Sequence, residues 1–166
     1  MDWMFGELPL HPLVVHLTVV LIPLAAISVV LAAVWPAARR RLGLLPQILA
    51  LLALTLVPIT TSAGEWLADR VAETPLVERH EELGERMLPW TLALFAVAVA
   101  IWAWHRFARA RFAKGTGRIR PAASVTLVVA AIVVASGSVI TVVQIGESGA
   151  AAVWTGNVSE QPHSRD

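Results

Sequence analysis

The chain has 166 residues, of which 57% are hydrophobic and 15% are charged, and its formal net charge is +1. Soluble domains are about 45–50% apolar and about 25% charged, so this composition excludes an ordinary water-soluble domain. The near-neutral charge gives no basis for nucleic-acid binding, which requires basic residues concentrated on one face. The chain has no cysteine, which excludes disulfides, thiolate metal ligands and cysteine nucleophiles.

Four blocks of the chain are apolar enough to cross a bilayer, since a spanning helix needs about 20 mostly apolar residues. We predict an all-α fold, an integral membrane four-helix bundle that forms one domain over residues 1–156, followed by a mobile polar tail over 157–166. The spans are expected at about residues 12–34, 44–63, 87–104 and 122–143. The leader lacks a basic n-region, so the first block is expected to be a retained span and not a signal peptide.

The three connections between the blocks differ in charge. The first carries Arg39, Arg40 and Arg41, and the third carries six Arg or Lys residues and no acidic residue. The second is rich in Glu and is expected to hold short helical pieces, one of them opening at Pro75. By the positive-inside rule the two basic connections face the cytoplasm. Both termini and the acidic connection are then extracytoplasmic.

This orientation brings ionisable residues from distant parts of the chain to the extracytoplasmic end of the bundle. His11 lies at the membrane boundary, and His16 lies roughly 7 Å deeper, because a helix rises about 1.5 Å per residue. The other residues expected at this end are Glu65, Asp69, His80, Gln144 and Glu147. A polar, histidine-containing pocket is therefore predicted there.

Imidazole and carboxylate groups together suit Zn, Cu, Fe or Ni, and imidazole also suits haem iron. We therefore predict that the pocket binds a transition-metal ion or a b-type haem, whose identity the sequence leaves open. His16 and His80 are the first candidate cofactor ligands, and His11 is a further one. The full set of candidate metal ligands is His11, His16, His80, Glu65, Asp69 and Glu147.

Each candidate also has a simpler explanation. His16 should lie inside the membrane, where an ionisable group is costly, but a partner on another helix would satisfy it without any cofactor. His11 would then cap the interface, and His80 would belong to a solvated charged helix. Five residues separate His11 from His16, which is about 140° on a regular helix, so they share an ion only if His11 precedes the helix. Glu65 and Asp69 share a helical face and also permit a proton relay.

Several segments resemble the DUF2231 family of bacterial membrane proteins. The first is Leu10-His11-Pro12-Leu13-Val14-Val15-His16, followed by Leu21-Ile22-Pro23. The resemblance continues at residues 61–66, at His80 and over residues 143–154. It implies four helices in the bacterial inner membrane, as a multi-pass protein. Some relatives look joined to Rieske-type domains, and this association implies a role in electron transfer. Relatives often carry histidine where this chain has Glu147, which weakens haem ligation through that position.

Three kinds of function stay open. The leading interpretation is a metal or haem protein of a membrane redox or metal-handling system. The alternative is a non-catalytic accessory or assembly subunit that docks on a larger membrane complex, because the small-residue runs 60–64 and 136–138 suit close helix contacts. A transporter needs a continuous polar track, which the apolar third span does not offer, so only a pore formed by a homo-oligomer fits. Hydrolase chemistry is disfavoured because no serine sits in a nucleophile motif.

Overall fold

A computed structural model of the chain describes residues 3–108 and 119–156, with side chains over 3–107 and 122–156. The tail predicted over 157–166, and the basic residues at 109–118 in the third connection, lie outside the described residues.

The described chain opens with a small hairpin. Strands β1 (Met4–Phe5) and β2 (Leu8–Pro9) pair antiparallel around the two-residue loop Gly6-Glu7. Gly6 has φ +64°, while Glu7 is not among the positive-φ residues, which matches the turn type that needs glycine at its first central position. The hairpin leads directly into the first long helix.

Six helices and one π-helical turn follow in chain order within the described residues. They are α1 (Leu10–Val34), α2 (Pro36–Leu42), α3 (Leu45–Ala68), α4 (Pro75–Glu85), α5 (Met87–Ala103), the π-helical turn Trp104–Ala108 and α6 (Ile119–Trp154). The all-α prediction is confirmed. Helix α6 continues past residue 143 because the residues up to Trp154 contain no proline, and the chain leaves the helix near Gly156, whose φ is +80°.

Four helical stretches are long and apolar enough to cross a membrane, as predicted. They are Leu10–Val34, Leu45–Ala68, Pro75–Phe107 and Ala122–Trp154. The third has 33 residues and would measure about 50 Å, which exceeds a hydrocarbon core of about 30 Å. Its first part, α4, is ionisable at six of 11 positions, so α5 crosses the core and α4 lies beyond it.

Helix α4 begins where the sequence predicts. Thr74 is extended and its hydroxyl accepts a hydrogen bond from the Val77 amide at 3.3 Å, and Pro75 occupies the first helical turn. A side-chain cap and a proline that needs no hydrogen-bond acceptor together define the start of a helix.

The four long helices form a closed ring. Helix α1 packs against α3 and α6, and α5 packs against both α3 and α6, while α4 lies against the end of α6. The residues at the centre are mostly small and almost fully buried: Ala25, Ala26, Ala50, Ala53, Ala98 and Ala131. Small residues allow helix backbones to approach closely, which is how membrane helices associate.

Large apolar side chains cover the outside of the ring. On α1 the exposed residues are Leu13, Leu17, Val20, Leu24 and Ile27, and Val20 is 65% exposed. Monomeric soluble proteins rarely expose a continuous apolar surface of this kind. The surface is what a lipid-facing helix presents, and it confirms the prediction of a membrane protein from the composition.

Candidate functional site

His11 lies in the first turn of α1 and points across to α3. Its Nδ1 lies 2.9 Å from the main-chain oxygen of Thr60. A carbonyl oxygen only accepts, so Nδ1 carries the proton and, in the neutral ring, Nε2 has the free electron pair. The ring lies against Gly64, where a Cβ atom would be 3.0 Å from His11 Nδ1. Gly64 thus provides the space that the imidazole occupies.

His80 on α4 has the same relation to α6. Its Nδ1 lies 3.1 Å from the main-chain oxygen of Ile145 and 3.0 Å from Ser148 Oγ, which itself donates to Ile145 O. The ring lies against Gly149, where a Cβ atom would be 2.9 Å from His80 Cε1. In both places the imidazole donates to a carbonyl four residues before the glycine that it contacts.

The two imidazoles lie side by side. The ring centroids of His11 and His80 are 6.2 Å apart and the ring planes are nearly perpendicular, at 82°. Among the described residues no hydrogen bond engages either Nε2 atom. The end of the bundle therefore holds two half-buried imidazoles with their Nδ1 atoms occupied and their Nε2 atoms available.

The surroundings of the pair disfavour a positive charge on His80. Burial is the main cause that lowers the pKa of His80, and the neighbouring His11 lowers it further, while the hydrogen bond to Ile145 acts in the opposite direction. The neutral ring, which has a lone pair, is the form that the site favours.

Carboxylates surround the same end. Burial raises the pKa of Glu81, and the charges of Glu65 and Asp69 on α3 raise it further, with smaller effects from Glu85 and Glu73. Glu65 and Asp69, at the end of α3, are thus close enough to Glu81 of α4 to act on its carboxyl group. All are outside the apolar part of the bundle.

His16 is not brought to this group. Its side chain is exposed on α1, and its Nδ1 lies 2.5 Å from the Pro12 carbonyl of its own helix. The described residues contain no group of three or more His, Cys, Asp or Glu that could hold a metal ion. His16 therefore lies apart from the His11–His80 pair, and among the described residues no three of the candidate ligands His11, His16, His80, Glu65, Asp69 and Glu147 form a group that could hold a metal ion.

Glu147 lies on α6 beside a separate cavity of about 460 Å³ between α4 and α6. His105 lies at the opposite end of the bundle, where its Nε2 contacts the Arg39 guanidinium. Neither residue therefore belongs to the imidazole pair.

The positioning groups were not identified from the sequence. Ser148 and the carbonyls of Thr60 and Ile145 carry no motif of their own. Gly64 lies in a small-residue run that predicts a close helix contact, and Gly149 lies in a segment that carries the family resemblance. In both helices a glycine stands four residues after the residue whose carbonyl accepts the hydrogen bond. This spacing is recognisable only once the positions of the two imidazoles are known.

The sequence matches a known protein family over most of its length. The family described as "Predicted membrane protein (DUF2231)" matches residues 7–162, nearly the whole chain. No curated protein and no solved structure matches.

Proposed function

The chain belongs to the DUF2231 family of predicted membrane proteins, and we propose that this multi-pass protein binds one transition-metal centre through His11 and His80. The two imidazoles would be the ligands in either case, and the metal would be either haem iron or a single bound ion. The observation that carries the proposal is the His11–His80 pair with its two anchored Nδ1 atoms.

The hydrogen bonds of the pair are those of metal-binding histidines. Such a histidine almost always donates its second ring N–H to a carbonyl, carboxylate or water, which sets the tautomer and the ring orientation. His11 donates to Thr60 O and His80 donates to Ile145 O. Both rings are thereby oriented with Nε2 as the ligating atom.

The spacing of the pair also suits a shared metal. With metal–nitrogen bonds of about 2.0–2.1 Å, two imidazoles on one metal have centroids roughly 5–6.5 Å apart, depending on the angle between the bonds. The observed separation of 6.2 Å falls toward the wide end of this range. At this separation His11 and His80 would be able to hold one metal between them.

The number of ligands favours haem iron over a bare ion. A structural zinc site takes about four protein ligands, whereas the described residues offer no group of three. Haem iron takes fewer ligands from the protein, and His11 and His80 would be the residues that hold it. The chemistry that such a group supplies when bound is electron transfer, which agrees with a role in a membrane redox system.

The experiment is a visible spectrum and a metal analysis of the purified protein in detergent, before and after addition of haem or of Zn, Cu, Fe and Ni salts. His11→Ala and His80→Ala are each expected to abolish binding of whichever group the wild type takes up. His16→Ala is the matched control and should bind as the wild type does, because His16 lies on the exposed face of α1. Circular dichroism checks that each variant remains helical.

The proposal fails if the folded wild type takes up neither haem nor any of these metals, or if His11→Ala and His80→Ala bind as the wild type does. An intense haem absorption band assigns the centre to haem, and metal uptake without that band assigns it to a bound ion.

One argument for the alternative function, an accessory subunit, is that the small-residue runs contact a partner helix, and contacts inside the bundle weaken this argument. Gly64 and Gly137, in the small-residue runs that favoured docking, are occupied inside the bundle by the rings of His11 and Trp90. These two glycines are therefore not available to a partner helix.

A further inference from the structure

A second polar feature lies next to the imidazole pair and shares only Ser148 with it. The cavity of about 460 Å³ between α4 and α6 is open to the outside. Its apolar lining residues are Leu76, Leu83 and Ala151, and its polar lining residues are Arg79, Arg86, Gln144, Glu147 and Ser148. The cavity thus combines apolar and charged groups.

The two arginines are the basic groups of this cavity. Arg79 lies on α4 and Arg86 directly follows that helix, two turns further along the same side. Neither guanidinium makes an ion pair within the part of the chain that the structure describes. Guanidinium groups bind phosphate through paired N–H donors, so two of them beside one cavity favour an anionic oxygen group.

The cavity lies where the apolar surface of the bundle ends. On α6, Ile140 and Val143 are exposed apolar residues, and Gln144 and Glu147 of the cavity follow within one helical turn. On α5, Leu88 and Leu92 are exposed immediately after Arg86. An apolar, lipid-facing surface therefore leads up to a charged cavity at the level expected for headgroups.

We propose that this cavity binds the headgroup of a membrane phospholipid, with the phosphate against Arg79 and Arg86 and the acyl chains along the exposed surfaces of α5 and α6. Glu147 lines the same cavity from α6 and provides one negative charge, so a headgroup that also carries an ammonium group is preferred over one that is only anionic. The site does not depend on the metal centre proposed above.

The test uses the full-length protein in detergent, with lipid binding counted by native mass spectrometry. Phosphatidylethanolamine is titrated against the wild type, Arg79→Gln, Arg86→Gln and the double variant. Each single variant is expected to bind about three- to tenfold more weakly, because one guanidinium–phosphate contact is lost and water screens that contact at an exposed side chain. Arg70→Gln is the matched control, since Arg70 stacks on Trp66 away from the cavity and should leave binding unchanged.

Two further arms identify the ligand. Inorganic phosphate at equal concentration should not displace the lipid, because it has no acyl chains. Glu147→Gln should reduce the preference for phosphatidylethanolamine over phosphatidylglycerol about threefold, by removing one charge-assisted contact near the surface.

Equal lipid binding by the wild type and the double arginine variant overturns the proposal. Displacement by inorganic phosphate assigns the site to a free anion and overturns the lipid assignment. An unchanged headgroup preference in Glu147→Gln overturns the role of Glu147.

Discussion

At the scale of single residues, the imidazole pair depends on space as much as on hydrogen bonds. His11 and His80 each occupy a position that a side chain on the facing helix would fill, and in both cases the facing residue is glycine, Gly64 or Gly149. A methyl group there would force the ring to move while its Nδ1 stays bound to the carbonyl one turn earlier. Glycine is thus a positioning residue at both sites.

We expect Gly64→Ala and Gly149→Ala to weaken binding of the metal centre by about 10- to 100-fold, the usual effect of disturbing groups that orient a ligand. The added Cβ would lie 3.0 Å from the His11 ring and 2.9 Å from the His80 ring. The measurement is a titration followed by absorbance. Gly146→Ala is the control, because a Cβ there meets nothing within 4 Å, and an equal loss of affinity in that variant would contradict the explanation.

Glu81 provides a second residue-scale prediction. Burial first, and then repulsion from Glu65 and Asp69, raise its pKa above the ordinary value of 4.5. The ionised form is therefore disfavoured in the folded protein, and stability from this group is lost as pH rises through its titration range. Glu81→Gln should raise the melting temperature at pH 7 by roughly 1 °C, a small effect because surface changes are usually within about 0.5 kcal/mol.

The gain from Glu81→Gln should disappear at pH 4, where the carboxyl is largely protonated in both states. Thermal unfolding in detergent at the two pH values measures it. A gain of the same size at both pH values would show that charge is not the cause.

At the scale of helices, close contacts between small and large residues determine how the bundle packs. The Trp90 ring of α5 lies directly on Gly137 of α6. On the other side of the ring of helices, Thr18 of α1 and Thr60 of α3 share a buried hydrogen bond of 2.9 Å, and the hydroxyl that accepts this bond donates its proton to a carbonyl of its own helix. One contact is steric and the other polar, and both join neighbouring helices.

Gly137→Ala should lower the free energy of unfolding by about 1–3 kcal/mol, because the added methyl group would overlap the Trp90 ring and the rigid indole cannot move without repacking. Chemical unfolding in detergent, followed by circular dichroism, measures the change. Gly146→Ala in the same helix serves as the reference for the intrinsic helix preference of alanine. If Gly137→Ala is as stable as this reference, the contact does not determine packing.

Thr60→Val should cost about 0.6 kcal/mol, the mean value for a hydrogen bond between membrane helices. The loss is small because Thr18 keeps its bond to the Val14 carbonyl and is not left without a partner. The same unfolding measurement applies, with Thr55→Val as the control because Thr55 is exposed and bonds only within its own helix. A loss above about 2 kcal/mol would indicate a larger role than this single bond.

At the scale of the whole molecule, the distribution of charge predicts the orientation in the membrane. The first connection contains Arg39, Arg40 and Arg41, while the segment between α3 and α5 is predominantly acidic. The positive-inside rule places the arginines in the cytoplasm and the imidazole pair outside.

The chain contains no cysteine, so single cysteines can be introduced without background. Glu73→Cys, between α3 and α4, should react with a membrane-impermeant maleimide in intact cells. Arg40→Cys on α2 should react only after the cells are opened. Both side chains are exposed, so accessibility is governed by the membrane alone. The reverse labelling pattern would invert the predicted orientation.

The sequence by itself determined the class of the molecule. Hydropathy and length predicted four membrane helices, because every backbone polar group in a bilayer must be paired within a helix or barrel. Proline placement also predicted the start of α4 at Pro75. The grouping of His11, His80 and the carboxylates at one end followed from the order of the helices along the chain.

Only the tertiary structure determined which imidazoles meet. Helix α1 is apolar on all sides, so its sequence has no stripe that indicates the inward face. His11 and His16 point about 140° apart, which allows only one of them to face α3. His11 packs against Gly64 and therefore faces α3. His80 packs in the same way against Gly149 and lies beside His11. These contacts depend on how each helix is rotated about its axis and on how closely the helices approach. A sequence without an amphipathic pattern encodes neither of these.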